Sequence, residues 1–66
     1  MKTMIDVYAI LKRYGTFIYT GDRFGDLELM EEELKELYKS NMIDPKEFQS
    51  ALLMIKQEVT RLKSGK

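Results

Sequence analysis

Apolar residues recur at helical spacing from the start of the chain: Met4, Val7, Tyr8, Leu11 and Tyr14 form one stripe, which Ile5 and Ile10 widen. Thr3 stands before this stripe as an N-cap, and Asp6 follows where a carboxylate can reach back to the cap. Gly15 supplies the residue that most readily takes the left-handed conformation ending a helix. A first helix is predicted over 4–14. A second stripe, Phe24, Leu27, Met30, Leu34, Leu37 and Tyr38, runs in steps close to three and four, so a helix is predicted over 23–39 with Asp22 as its N-cap. Gly25 falls in its first turn, where a helical Gly costs roughly 1 kcal/mol relative to Ala. The third stripe, Phe48, Leu52, Ile55, Val59 and Leu62, predicts a helix over 45–63. Its start is the clearest punctuation in the sequence. Asp44 caps, Pro45 takes the first helical position, Glu47 closes a capping box, and Ile43 and Phe48 occupy the two positions of a hydrophobic staple. Three amphipathic helices with one short and one longer connection predict an all-α fold, a small three-helix bundle in a single domain over 1–66.

The longer connection does not have the composition of an idle linker. Thr16-Phe17-Ile18-Tyr19-Thr20 is β-branched and aromatic throughout, which suggests a strand, yet no second strand pattern exists to pair with it. An isolated strand would leave its backbone groups unpaired, so an ordered surface loop is the expectation. Its rings either close the end of the bundle or bind something.

Composition narrows the chemistry. A chain of 66 residues is a single domain at most and buries only about 60% of the surface its unfolded form exposes. It contains neither Cys nor His, which removes disulfides, zinc-thiolate sites, the usual metal ligand and the commonest general base. Ser40, Ser50 and Thr20 have no suitably spaced base beside them, so no catalytic residue, no enzyme and no cofactor are expected. The apolar runs fall far short of the ~20 residues that cross a bilayer, and the N-terminal stretch lacks the apolar core of a secretory signal; no membrane association and a cytoplasmic location are expected.

Formal charge is zero but distributed in blocks: net +2 over 1–25, −5 over 26–37 and +3 over 38–66. The acidic run Glu31-Glu32-Glu33 with Glu28 and Glu36 places at most two carboxylates on one helical face, which reads as a solvated surface with Glu31 pairing Lys35 rather than a metal site. Gly15, Gly21 and Gly25 match no phosphate-loop spacing and are assigned to turns and caps.

The run Tyr14-Gly15-Thr16-Phe17-Ile18-Tyr19-Thr20-Gly21-Asp22-Arg23, followed by Leu27-Glu28-Leu29-Met30-Glu31-Glu32-Glu33-Leu34-Lys35-Glu36-Leu37-Tyr38, resembles the YqgQ-like family of small bacterial proteins, and the resemblance extends over nearly the whole chain. It implies a three-helix bundle, a bacterial cytoplasmic setting, no established enzymatic activity, and single-stranded nucleic-acid binding as a suggestion attached to the family.

The residues themselves carry the ingredients of such binding: flat faces for bases and cations for phosphates. Candidate contacts are Lys12, Arg13, Tyr14, Tyr19 and Arg23 around the loop, with Arg61 and Lys63 as additional phosphate contacts, and Phe17 as a further ring. The partner would be single-stranded DNA or RNA. The competing expectation is that Tyr14, Phe17 and Ile18 pack while Arg23 pairs a carboxylate, and that Leu29, Leu53 and Met54, lying off the core stripes, dock a protein partner or a second copy.

Overall fold

The computed structural model describes residues 3–64, which form three helices and no strand. α1 spans Met4–Arg13, α2 Arg23–Lys39 and α3 Pro45–Lys63. Local sequence sets each boundary. The Thr3 N–H donates to the Asp6 carboxylate at 2.9 Å, which closes the start of α1. Asp22 accepts from the Gly25 N–H at 3.2 Å at the start of α2, and a Cβ on Gly25 would lie 3.0 Å from the Asp22 carboxylate. Gly25 thus leaves room for its own cap, a reason for the residue that helix propensity alone does not supply. At α3, Asp44 accepts from the Glu47 N–H at 2.6 Å, with Pro45 in the first turn.

The first two helices end in the same way. Gly15, at φ 80°, follows the Tyr14 cap; its N–H reaches Lys12 O and the Thr16 N–H reaches Leu11 O. Asn41, at φ 61°, follows the Ser40 cap, and the N–H groups of Asn41 and Met42 reach Tyr38 O and Leu37 O. Both are Schellman closures, which satisfy carbonyls the helix end leaves free.

Val7, Ile10, Leu11, Leu27, Met30, Leu34, Leu37, Ile43, Ala51 and Ile55 make the core, and Phe48, Met54, Val59 and Leu62 pack against it. Met54 therefore serves packing and not an off-stripe surface. Ile5, predicted to widen the first stripe, is 75% exposed. Tyr8, Phe24 and Tyr38 sit at the stripe edges with substantial ring area in solvent. Tyr38 stacks flat on Phe48, centroids 4.5 Å apart, so its ring is used at the surface of the α2/α3 seam. Helix contact is uneven: α3 packs extensively on α2, less on α1, and α1 meets α2 least. Two helices held by a third leave a gap between them.

Candidate nucleic-acid interface

That gap is a groove of about 620 Å³. α1 contributes Tyr8, Leu11 and Lys12, three positions that share one helical face, and the first turns of α2 contribute Arg23, Asp26 and Met30, spaced to share another. Thr16 to Tyr19 and Gly21 of the connecting loop complete the lining.

The loop is fixed at both ends. Thr16 is anchored through its N–H to Leu11 O at 2.9 Å and through its hydroxyl to the Glu33 carboxylate at 3.2 Å. Thr20 gives both its N–H and its hydroxyl to Asp26 Oδ1, at 2.7 and 2.6 Å. Asp26 is 5% exposed, and these two donors satisfy the buried oxygen that receives them. Between the anchors, Ile18 packs against the core while its neighbours turn outward: Phe17 is 88% exposed and Tyr19 77%. The loop therefore alternates with the period of a strand although no strand pairs with it. Of the residues expected to close the end of the bundle, Tyr14 and Ile18 pack against the core and Phe17 does not, while Arg23 pairs a carboxylate as the same expectation held.

The cations divide into two groups. Arg23 donates to the Tyr8 hydroxyl at 2.6 Å and to Glu58 at 3.3 Å. Arg61 binds the same Glu58 carboxylate from one turn further along α3. Arg61, and after it Arg23, hold the Glu58 carboxyl below the usual carboxylate range by hydrogen bonding, against the opposing effect of desolvation. Lys12 lines the groove and makes no ion pair among the described residues. Lys12, Tyr19, Arg23 and, through Glu58, Arg61 thus belong to one region.

Arg13 and Tyr14 belong elsewhere. Arg13 pairs with Glu47 at 3.0 Å and lies over the Tyr14 ring, 5.2 Å from its centroid, while the Tyr14 hydroxyl donates to Met42 O at 2.6 Å. These contacts tie the end of α1 to the first turn of α3 and to the connection that precedes it. Glu47 consequently spends its carboxylate on Arg13 instead of on the capping box predicted for it. Lys63 is exposed at the last turn of α3 and no contact joins it to the groove.

Sequence reading overlooked three residues here. Tyr8 passed for a core position, because a stripe gives the face of a helix and not the depth of burial. Asp26 and Glu58 were not singled out at all, since nothing in the local pattern marks them. The Thr-Phe-Ile-Tyr-Thr alternation was the available signal for the loop, since period two places both rings on the side away from Ile18.

The family model for YqgQ-like proteins matches residues 1–61. The chain is also similar to the uncharacterized protein YqgQ of Bacillus subtilis (strain 168), 38% identical over 66 residues that cover all of this chain and 93% of the relative.

Proposed function

The chain belongs to the YqgQ-like family, and from that premise we propose that it is a non-enzymatic cytoplasmic module that binds single-stranded nucleic acid weakly in the groove between α1 and α2. One observation carries the proposal: Phe17 and Tyr19 stand in solvent on a loop anchored at Thr16 and Thr20. An aromatic ring can bury roughly 150–250 Å². Two rings held out by hydrogen bonds forgo that stabilisation, and bases stacking on them recover it. Such stacking is worth about 1–3 kcal/mol per base and tolerates any sequence, because every base has a flat face. Fixing the loop beforehand lowers the ordering entropy that binding must overcome. Lys12 and Arg23 supply phosphate contacts beside the rings, with Arg61 next to them.

The assignment shifts the binding residues toward Tyr8, Lys12, Phe17, Tyr19 and Arg23, and away from Arg13 and Tyr14, whose polar groups are engaged with Glu47 of α3 and with Met42 O in the connection before it. Two or so phosphate contacts imply a shallow salt dependence, a log–log slope of about −1.4 for a single strand, and affinity in the micromolar range.

Fluorescence anisotropy with labelled oligothymidylate and oligouridylate at several salt concentrations tests the reading. Phe17→Ala with Tyr19→Ala is expected to weaken binding by about tenfold or more, given the value of a stacked base. Binding that ignores salt, or that survives both substitutions, refutes it. A protein is the rival occupant of the same rings; association with a protein that is insensitive to salt and lost with Phe17→Ala and Tyr19→Ala is the result that would establish that reading instead.

A further inference from the structure

Two arginines, one from the start of α2 and one from α3 itself, converge on the Glu58 carboxylate. Arg23 Nη2 donates to its Oε2 at 3.3 Å; Arg61 donates from Nε to Oε1 at 3.2 Å and from Nη2 to Oε2. The Glu58 side chain is only 14% exposed, whereas both arginines keep substantial contact with solvent. Two guanidinium groups converging on one planar anion, one of them steadied by the Tyr8 hydroxyl, form the donor arrangement that recognises phosphate as readily as carboxylate.

We infer that Glu58 is a built-in competitor of the backbone phosphate, occupying Arg23 and Arg61 until an incoming strand displaces it. The inference rests on the nucleic-acid reading of the groove and names what limits its affinity. A strand that enters while Glu58 keeps both arginines meets Lys12 and a neutralised Arg23. A strand that takes Arg23 must leave the carboxylate with Arg61 alone. Either way a phosphate contact is offset by a negative charge already in place. Because its arginines hold Glu58 ionised, the competitor persists throughout the neutral range. The opposite role, a strut that aims Arg23 at the ligand, predicts the opposite sign on neutralisation, and the two are therefore separable.

The experiment compares the full chain with Glu58→Gln, which keeps shape and a hydrogen-bond acceptor while removing the charge, using the same labelled oligothymidylate. Glu58→Gln is expected to tighten binding by about threefold to tenfold and to steepen the salt slope by about 0.7, the phosphate that a released Arg61 adds to those at Lys12 and Arg23. Glu58→Asp, which keeps the charge but withdraws it by one methylene, is expected to tighten binding less, and it serves as the readout should the Gln variant fail to fold by circular dichroism. Arg61→Gln, which leaves Glu58 entirely to Arg23, is expected to weaken binding. Wild-type binding with no tightening in Glu58→Gln overturns the competitor while leaving the groove assignment in place. Absence of binding in both proteins overturns the two together.

Discussion

The two connections of this bundle are built from the same parts and put to different ends. Each opens with a Schellman closure, at Gly15 in one and Asn41 in the other, and each finishes on an aspartate that caps the next helix, Asp22 or Asp44. Between these, Ser40–Asp44 places its one branched apolar residue, Ile43, in the core, 5% exposed. Tyr14–Asp22 places Ile18 against the core and sends Phe17 and Tyr19 into water, then uses Thr16 and Thr20 to keep them there. The short connection buries Ile43 and leaves a single flexible apolar side chain, Met42, 55% exposed. The long one holds two rings in solvent on an anchored loop, an arrangement that folding does not require, and the proposed binding surface rests on that difference.

The largest effect that can break this comparison is on stability. Ile43→Ala removes buried volume from the core and is expected to lower unfolding free energy by about 2–5 kcal/mol in urea denaturation. Phe17→Ala, at a mostly exposed ring, is expected to stay within about 0.5 kcal/mol of wild type. Equal losses at the two positions would mean that Phe17 packs in solution and that the loops do not differ in kind.

Next in size is the anchor of the long loop. Thr20→Val keeps the shape of the side chain and removes the hydroxyl that donates to Asp26 Oδ1 at 2.6 Å, leaving only the Thr20 N–H on a buried carboxylate. A hydrogen bond to a charged group contributes about 1.5–3 kcal/mol, and a loss of that order is expected. Faster amide exchange at position 20 and weaker oligonucleotide binding, with Phe17 and Tyr19 unaltered, would show that the rings work because they are held. Unchanged binding would show that the anchor serves folding alone.

How far these contrasts could be read in advance depended on their range along the chain. The caps at Thr3, Asp22 and Asp44 and the left-handed Gly15 act within a few residues, and the sequence pattern located them together with the three helices. Contacts across the bundle left no such mark. Arg23 meets Glu58 and Arg13 meets Glu47 only because helices pack, and nothing local distinguishes an arginine that will face the groove from its counterpart that will not. The capping box at Asp44 failed for the same reason: a carboxylate predicted to serve its own helix end was taken by a cation from α1. Tyr8 shows the limit of periodicity itself, since the gap between α1 and α2 exposes part of the first stripe without altering its spacing.

Arg13 gives the smallest effect and the sharpest division between the two regions. It stands beside Tyr14 at the entrance to the long connection, and by sequence it was as good a phosphate contact as Arg23. Its guanidinium instead joins Glu47 at the start of α3, 3.0 Å away, in an ion pair exposed to solvent. Surface pairs of this kind contribute little to stability, because water and salt screen them and the side chains lose entropy in holding them. Arg13→Ala is therefore expected to leave the thermal midpoint close to wild type and to leave oligonucleotide affinity and its salt slope unchanged, while Lys12→Ala flattens that slope by about 0.7. Equal flattening by both substitutions would extend the binding surface around the end of α1 and join the two regions that the ion pairs divide.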